Sequence, residues 1–219
     1  MSLHTPRVFA PTGTRIRAFI GDTVVADSTE AALLRTSPFK IVYGFPESDV
    51  SSEALERAEK GDQPDTTGYV FIDFNAVDRW FEEDEELLGH PRDPYTRIDV
   101  RESSRHVRVQ VDGVTVIDTT RPRLLLETGL PVRYYVPYDD VTWDVLVESD
   151  TTTVCPYKGR SRYWTVRAGG AEHPDLIWAY PEPLQDAERV KGCVCFYHEK
   201  MQVTIDGEAQ KRPPKYFTK

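Results

Sequence analysis

The chain has 219 residues, 39% of them hydrophobic and 11% aromatic, which is enough to bury one large or two small cores without metals or disulfides. The formal net charge is −9, and the excess lies in residues 1–96, with 9 Lys and Arg against 18 Asp and Glu, while the remainder balances at 18 against 18. This argues against a general nucleic-acid surface, which needs a concentrated cationic face, and no run approaches the roughly 18 apolar residues of a membrane span.

In chain order, the first predicted element is a hairpin. Residues 16–20 and 23–26 are β-prone, and Gly21-Asp22 between them, with Gly first, suits a type II′ turn. Leu33-Leu34 and a β-prone run ending at Tyr43 and Pro46 follow. Residues 51–61 open on Ser, carry an early acid and close on Gly, which predicts a short helix. Ile72-Asp73-Phe74-Asn75 resumes the strand pattern. The acid run at 82–86 and the prolines at 91 and 94 predict a solvated joint, so the expected division is residues 1–88, a linker at 89–96, and residues 97–219.

Beyond the joint the pattern repeats. At the constant offset that carries Asp27 to Asp118, Arg17 meets Arg108, Val25 meets Val116, Leu33-Leu34 meet Leu124-Leu125, Tyr43 meets Tyr134 and Pro46 meets Pro137. Residues 107–111 and 114–117 flank Asp112-Gly113, a type I′ hairpin signature. Strand-like runs follow at 142–147, 163–166, 176–180, 193–197 and 201–205. Ile72-Asp73 set against Cys195-Phe196 leaves the first copy without the Cys155-Pro156-Tyr157-Lys158-Gly159 turn and the Trp/Tyr-rich stretch after it. The expected fold is mainly β: two tandem compact antiparallel domains, tent-like or small barrels or sandwiches. The first is degenerate, structural and has one short helix. Any small-molecule site is expected in the second.

Several residues there have chemical potential. Cys155 lies in a turn beside Lys158, Arg160 and Arg162, and nearby positive charge favours a nucleophilic thiolate, although most free cysteines are small buried hydrophobes. Lys158-Gly159 lacks the glycine-rich lead-in of a phosphate loop, yet Lys158 and its neighbouring arginines suit an anion. Cys193 and Cys195 are two apart on a strand, a spacing that favours core packing over zinc. Tyr135, Tyr163, Trp164, Trp178 and Tyr180 read as core or as walls of a cavity for a flat ligand, and Glu127 and Asp140 are the acids expected near it, with turn formation as their alternative role.

The second copy resembles the bacterial family known as domain of unknown function 427. The resemblance rests on Val107-Arg108-Val109, Asp112-Gly113, Leu125-Leu126-Glu127, Arg133-Tyr134-Tyr135, Pro137, Asp139-Asp140-Val141, residues 153–159, Tyr163-Trp164, Trp178-Ala179-Tyr180, Pro183 and Phe196-Tyr197. The acidic stretch from Trp80 and the His90-Pro91-Arg92-Asp93-Pro94 joint resemble those of two-copy members. The resemblance implies compact β-sheets similar to tent-like ligand-holding domains. A nucleotidyltransferase label sometimes given to the family finds no Asp-x-Asp metal pair here, since Asp139 and Asp140 are adjacent.

The expected function is therefore small-ligand binding, of an anionic or aromatic molecule, in an aromatic-lined cleft of the second copy with Lys158 and Asp140 at its polar end. No cofactor, metal, nucleic acid or membrane is expected, and the chain is expected to be a monomer or weak oligomer. The odd number of cysteines and the lack of a leader in residues 1–6 point to reduced thiols in a soluble cytoplasmic protein. Two alternatives stand beside this reading. One is a hydrolase or transferase for a small anionic substrate, with Cys155 or Lys158 catalytic, and the other is a protein-interaction module.

Overall fold

A computed structural model describes residues 7–37 and 40–212, so residues 1–6, on which the expectation about a leader rested, lie outside the described residues. The chain divides into two compact units, residues 1–94 and 95–219. Both are mainly β and every paired strand is antiparallel. Among the described residues no sheet closes into a barrel, and no helix is long and apolar enough to cross a membrane.

The first unit contains β1 (Val8–Pro11), β2 (Ile16–Ile20), β3 (Thr23–Ser28), β4 (Ala32–Ser37), β5 (Lys40–Pro46), β6 (Ala58–Lys60), β7 (Tyr69–Ile72), β8 (Arg79–Glu82) and β9 (Glu85–Glu86). They form sheets ordered β1-β4-β5-β7-β6 and β3-β2-β8-β9. The second unit contains β10 (Ile98–Glu102), β11 (Val107–Val111), β12 (Val114–Thr119), β13 (Arg123–Glu127), β14 (Arg133–Pro137), β15 (Leu146–Cys155), β16 (Gly159–Ala168), β17 (Ala171–Ala179), β18 (Cys193–Phe196), β19 (Gln202–Ile205) and β20 (Glu208–Ala209). Their orders are β10-β13-β14-β18-β17-β16-β15 and β12-β11-β19-β20. The second unit thus follows the first strand for strand and adds β16 and β15 at one edge. Register agrees as well: Leu34 faces Val42 and Ala32 faces Gly44 in the first unit, as Leu125 faces Arg133 and Arg123 faces Tyr135 in the second.

Local chemistry explains the hairpins. Asp112 and Gly113 both have positive φ, as a type I′ turn requires, whereas at Gly21-Asp22 only the glycine does. Along β11 Val107, Val109 and Val111 are buried while Arg108 is exposed, the period-two pattern of a strand with one wet face. These valines pack with Ile117, Val136, Val166, Ile177 and Phe196 into the core between the two sheets of the second unit, each such side chain stabilising by about 1.5–3 kcal/mol. The first unit's core centres on Trp80, stacked on Phe74 at 5.4 Å and packed against Tyr43 at 5.6 Å.

Four expectations change. The predicted helix at 51–61 shrinks to the single turn α1 (Ser52–Leu55), capped by Ser51, and Ala58–Lys60 becomes β6, pairing with β7. A short isolated helix is marginal, whereas an edge strand gains a hydrogen-bonded partner at once. The acid run is no linker either: it turns through Glu83, at positive φ, into the β8–β9 hairpin. In the predicted strand at 142–147, Trp143–Val145 forms a 3-10 turn and β15 begins only at Leu146. Finally, Tyr69 pairs with Pro46 as Cys193 pairs with Pro137, so Phe71 rather than Ile72 takes the place of Cys195.

Candidate functional site

The large sheet of the second unit has a second buried face, turned away from the inter-sheet core. Strand alternation puts Leu125 and Glu127 of β13, Arg133 and Tyr135 of β14, Cys193 and Cys195 of β18, Trp178 of β17, Ser161 and Tyr163 of β16, and Thr153 and Cys155 of β15 on it together. Tyr180 and Tyr197 continue the rows of β17 and β18, and Ala187 and Val190 of the 3-10 segment Gln185–Val190 cover part of the face.

At its centre Lys158 reaches in from the β15–β16 turn, its Nζ donating to Glu127 Oε2 at 2.6 Å, with side chains only 11% and 10% exposed. The turn is fixed from behind. Leu184 N donates to the Lys158 carbonyl, and Gly159 sits at φ +96° where a Cβ would lie 3.1 Å from the Glu182 carbonyl. Only glycine suits that combination. Toward the surface, Thr153 Oγ1 lies 2.7 Å from Ser161 Oγ and 3.0 Å from Tyr163 OH, a hydroxyl chain running from a buried Ser to an exposed Thr. On another side Arg133 forks onto Glu199 at 2.8 and 2.7 Å and lies over the Trp178 ring, which packs on Tyr197 at 4.7 Å.

Burial sets the protonation of this cluster. It pushes the Cys195 thiol up to about 12 and raises Tyr135, Tyr180 and Tyr197, so these groups stay neutral near pH 7 and can donate hydrogen bonds rather than abstract protons. Burial also lowers His198, leaving a neutral imidazole. For Glu199 burial acts upward, yet the Arg133 fork and a backbone bond outweigh it and the carboxylate stays ionised. The face therefore presents two internally neutralised charge pairs, Lys158–Glu127 and Arg133–Glu199, within a shell of neutral donors.

The sequence-derived candidates Glu127, Tyr135, Lys158, Tyr163, Trp178 and Tyr180 meet on this face. Three other expectations are corrected. Trp164 pairs with Ile177 and points to the opposite face, where it packs against the inter-sheet core and edge-on to Trp143 at 5.5 Å. Asp140 accepts from Thr119 at 2.6 Å and from Arg121 at 2.8 and 3.0 Å, which makes it a turn anchor and not a partner of Lys158. The cations expected around Cys155 do not converge on it: Arg160 and Arg162 alternate away from its face and Lys158 is held by Glu127. Among the described residues no group of three or more His, Cys, Asp and Glu is placed to hold a metal ion. Sequence reasoning passed over Arg133, Ser161, Thr153 and Glu199. Arg133 was findable, since it stands two residues before Tyr135 on one strand and so shares its face.

The thiols make a direct check. Half-buried Cys155 is expected to be the site alkylated by iodoacetamide at pH 8, with Cys193 and Cys195 protected until the protein unfolds. At a thiol pKa of about 12 the thiolate fraction of Cys195 there is on the order of one in ten thousand. Peptide mass spectrometry reads the outcome, and modification of Cys195 in folded protein would contradict the closed character of this face.

No curated protein matches this chain. A family model does match it: residues 99–207, within the second unit and including the buried Lys158–Glu127 face, fit the family described as Domain of unknown function (DUF427).

Proposed function

We propose that the second unit binds a small, flat, anionic ligand on the aromatic face of its seven-stranded sheet. Lys158 is the anion-holding group in this reading, released in part from Glu127 when the ligand arrives, and Trp178 and Tyr197 are the stacking surface. The ligand enters at the rim formed by exposed Thr153 and half-buried Tyr197 and Cys155. The two units are, in the same reading, copies of one domain, which makes the first an internal control.

One observation carries the proposal. The first unit builds the equivalent strands in the same register with Val42 at the position of Arg133, and among the described residues its sheet ends at β6, with no counterpart of the β15–β16 turn that carries Lys158. The sheet therefore does not need charge there. A buried ion pair generally stabilises no more than well-packed apolar residues would, so its presence in one copy alone favours a role in recognition.

Phenyl phosphate is a suitable probe. At ten times its dissociation constant a bound ligand adds about 1.4 kcal/mol, which raises the unfolding temperature by a few degrees. The shift is expected in the full chain and absent in Trp178→Ala and in the double variant Lys158→Met/Glu127→Leu. Equal shifts in all three proteins, or none with any small aromatic anion, would refute the proposal.

A further inference from the structure

We infer that the first unit has a ligand site of its own, on the equivalent face of its five-stranded sheet, and that it takes a small organic cation, an amine carried on an apolar or aromatic body. Nothing in this inference depends on ligand binding by the second unit.

The inference starts from a substitution pattern. The rings that fill the second unit's face have small or acidic counterparts in the first: Gly44 for Tyr135, Glu59 for Trp178 and Asp73 for Tyr197. These equivalences follow from register, because Glu59 pairs with Phe71 as Trp178 pairs with Cys195, and Gly44 pairs with Phe71 beside the matched pairs Phe45–Val70 and Val136–Val194. One row further on, Gly61 stands where Tyr180 stands.

Four rings are thereby missing from one place. The result is a cavity of about 600 Å³ whose apolar wall is Leu34, Val42 and Phe71 and whose rim includes Glu59, Asp62 and Asp73. Phe71 is itself held edge-on by Phe9, at 6.1 Å, so the wall is a fixed ring and not a loose side chain. Gly44 cannot be anything larger without moving that ring, since a Cβ there would lie 2.6 Å from it.

Charge decides the class of ligand. Three cations also border the cavity, but each is already engaged: Arg7 with Asp65 at 2.6 Å, Lys60 with Glu47 at 2.9 Å, and Arg57 with the Ala76 carbonyl at 3.0 Å and Glu53 at 3.5 Å. The three acids have no ion-pair partner among the described residues, and the Asp73 carboxylate accepts the Asn75 backbone N–H. The uncompensated charge is negative, and the surrounding residues 1–96 carry twice as many acids as bases. An ammonium group would meet these carboxylates while its apolar body lies against Phe71, whose ring face also attracts a cation.

The experiment uses the full chain and two probes of matched shape, benzylammonium and benzoate, with binding read by isothermal titration calorimetry. Benzylammonium is expected to bind and benzoate not to. Glu59→Gln and Asp73→Asn, both at exposed positions where folding is little disturbed, are each expected to weaken benzylammonium by up to about fivefold, the range of one partly solvated ion pair, and the double variant by more. Lys158→Met/Glu127→Leu, which alters only the second unit's face, is expected to leave benzylammonium affinity unchanged. Three results would each overturn the inference: benzylammonium heat absent from folded protein, affinity insensitive to the double acid variant, or benzoate binding as tightly. Loss of binding in the Lys158→Met/Glu127→Leu protein would move the amine to the other unit and overturn it equally.

Discussion

Replacing Lys158 by Met is expected to destabilise the second unit by about 3–5 kcal/mol, because it leaves the Glu127 carboxylate, only 10% exposed, without its counter-ion among tyrosines and thiols. The companion variant Lys158→Met/Glu127→Leu removes both charges and is expected to recover most of that loss, since apolar groups of similar volume replace a buried pair at little net cost. Urea denaturation followed by circular dichroism gives the global value, and amide hydrogen exchange in β13 and β16 assigns it to this unit. The contrast between single and double variants is the informative quantity. If the double variant is as unstable as the single one, Lys158 acts through packing of its stem and the turn around Gly159, not through neutralising Glu127. If stability returns and the phenyl phosphate response does not, the pair is maintained for binding.

Trp80→Ala is expected to cost the first unit about 3–5 kcal/mol, the range for removing a fully enclosed indole. Trp80 is 1% exposed, stacks on Phe74 at 5.4 Å and on Phe45 at 6.1 Å, and its Nε1 donates to the Phe74 carbonyl at 2.9 Å. Trp80→Phe keeps much of the volume but leaves that carbonyl without its donor, so a smaller loss of about 1–3 kcal/mol is expected. The same denaturation experiment checks both, with exchange read in β2 and β8. A loss under about 1 kcal/mol for the alanine variant would mean that the ring stack contributes little to this core. The comparison also bears on the amine site, which lies on the other face of the five-stranded sheet: Trp80→Phe is expected to leave benzylammonium affinity intact.

The proposed amine site illustrates how two units of one strand order can differ without a change of scaffold. Both units keep the strand order and the register, and the difference is confined to what stands at a few inward positions of one face. Where the second unit fills that face with its own phenols and indole, the first substitutes glycine and carboxylate. Filled, the face can enclose a buried charge pair. Open, it leaves a walled cavity.

Much of this was legible in the residues. Asp112-Gly113 and Gly21-Asp22 announced their hairpins because positive φ is a local demand that few residues meet. Alternation at residues 107–111 announced a strand, and the constant offset between Asp27 and Asp118 agrees with the matching strand order of the two units. The membership of the candidate face was partly legible: Tyr135, Trp178 and Tyr180 stand out by type, and Lys158 by its turn. Trp164 and Asp140 were misassigned because a strand pattern defines two faces and says nothing of which neighbour each will meet. Residues 51–61 misled for a related reason, since a capped helix signal is local and the pairing of β6 with β7 is not.

The sequence by itself determined the class of fold, the hairpins and the repeated order of strands, all of which follow from side-chain period and turn chemistry within a few residues. The tertiary structure alone decided that Glu127 meets Lys158 across the sheet, that Asp140 belongs to Arg121, and that Gly44, Gly61 and Glu59 together leave a cavity beside Phe71. Those outcomes depend on register between strands far apart in the chain, and register is settled by the summed packing of whole sheets rather than by any residue's own preference.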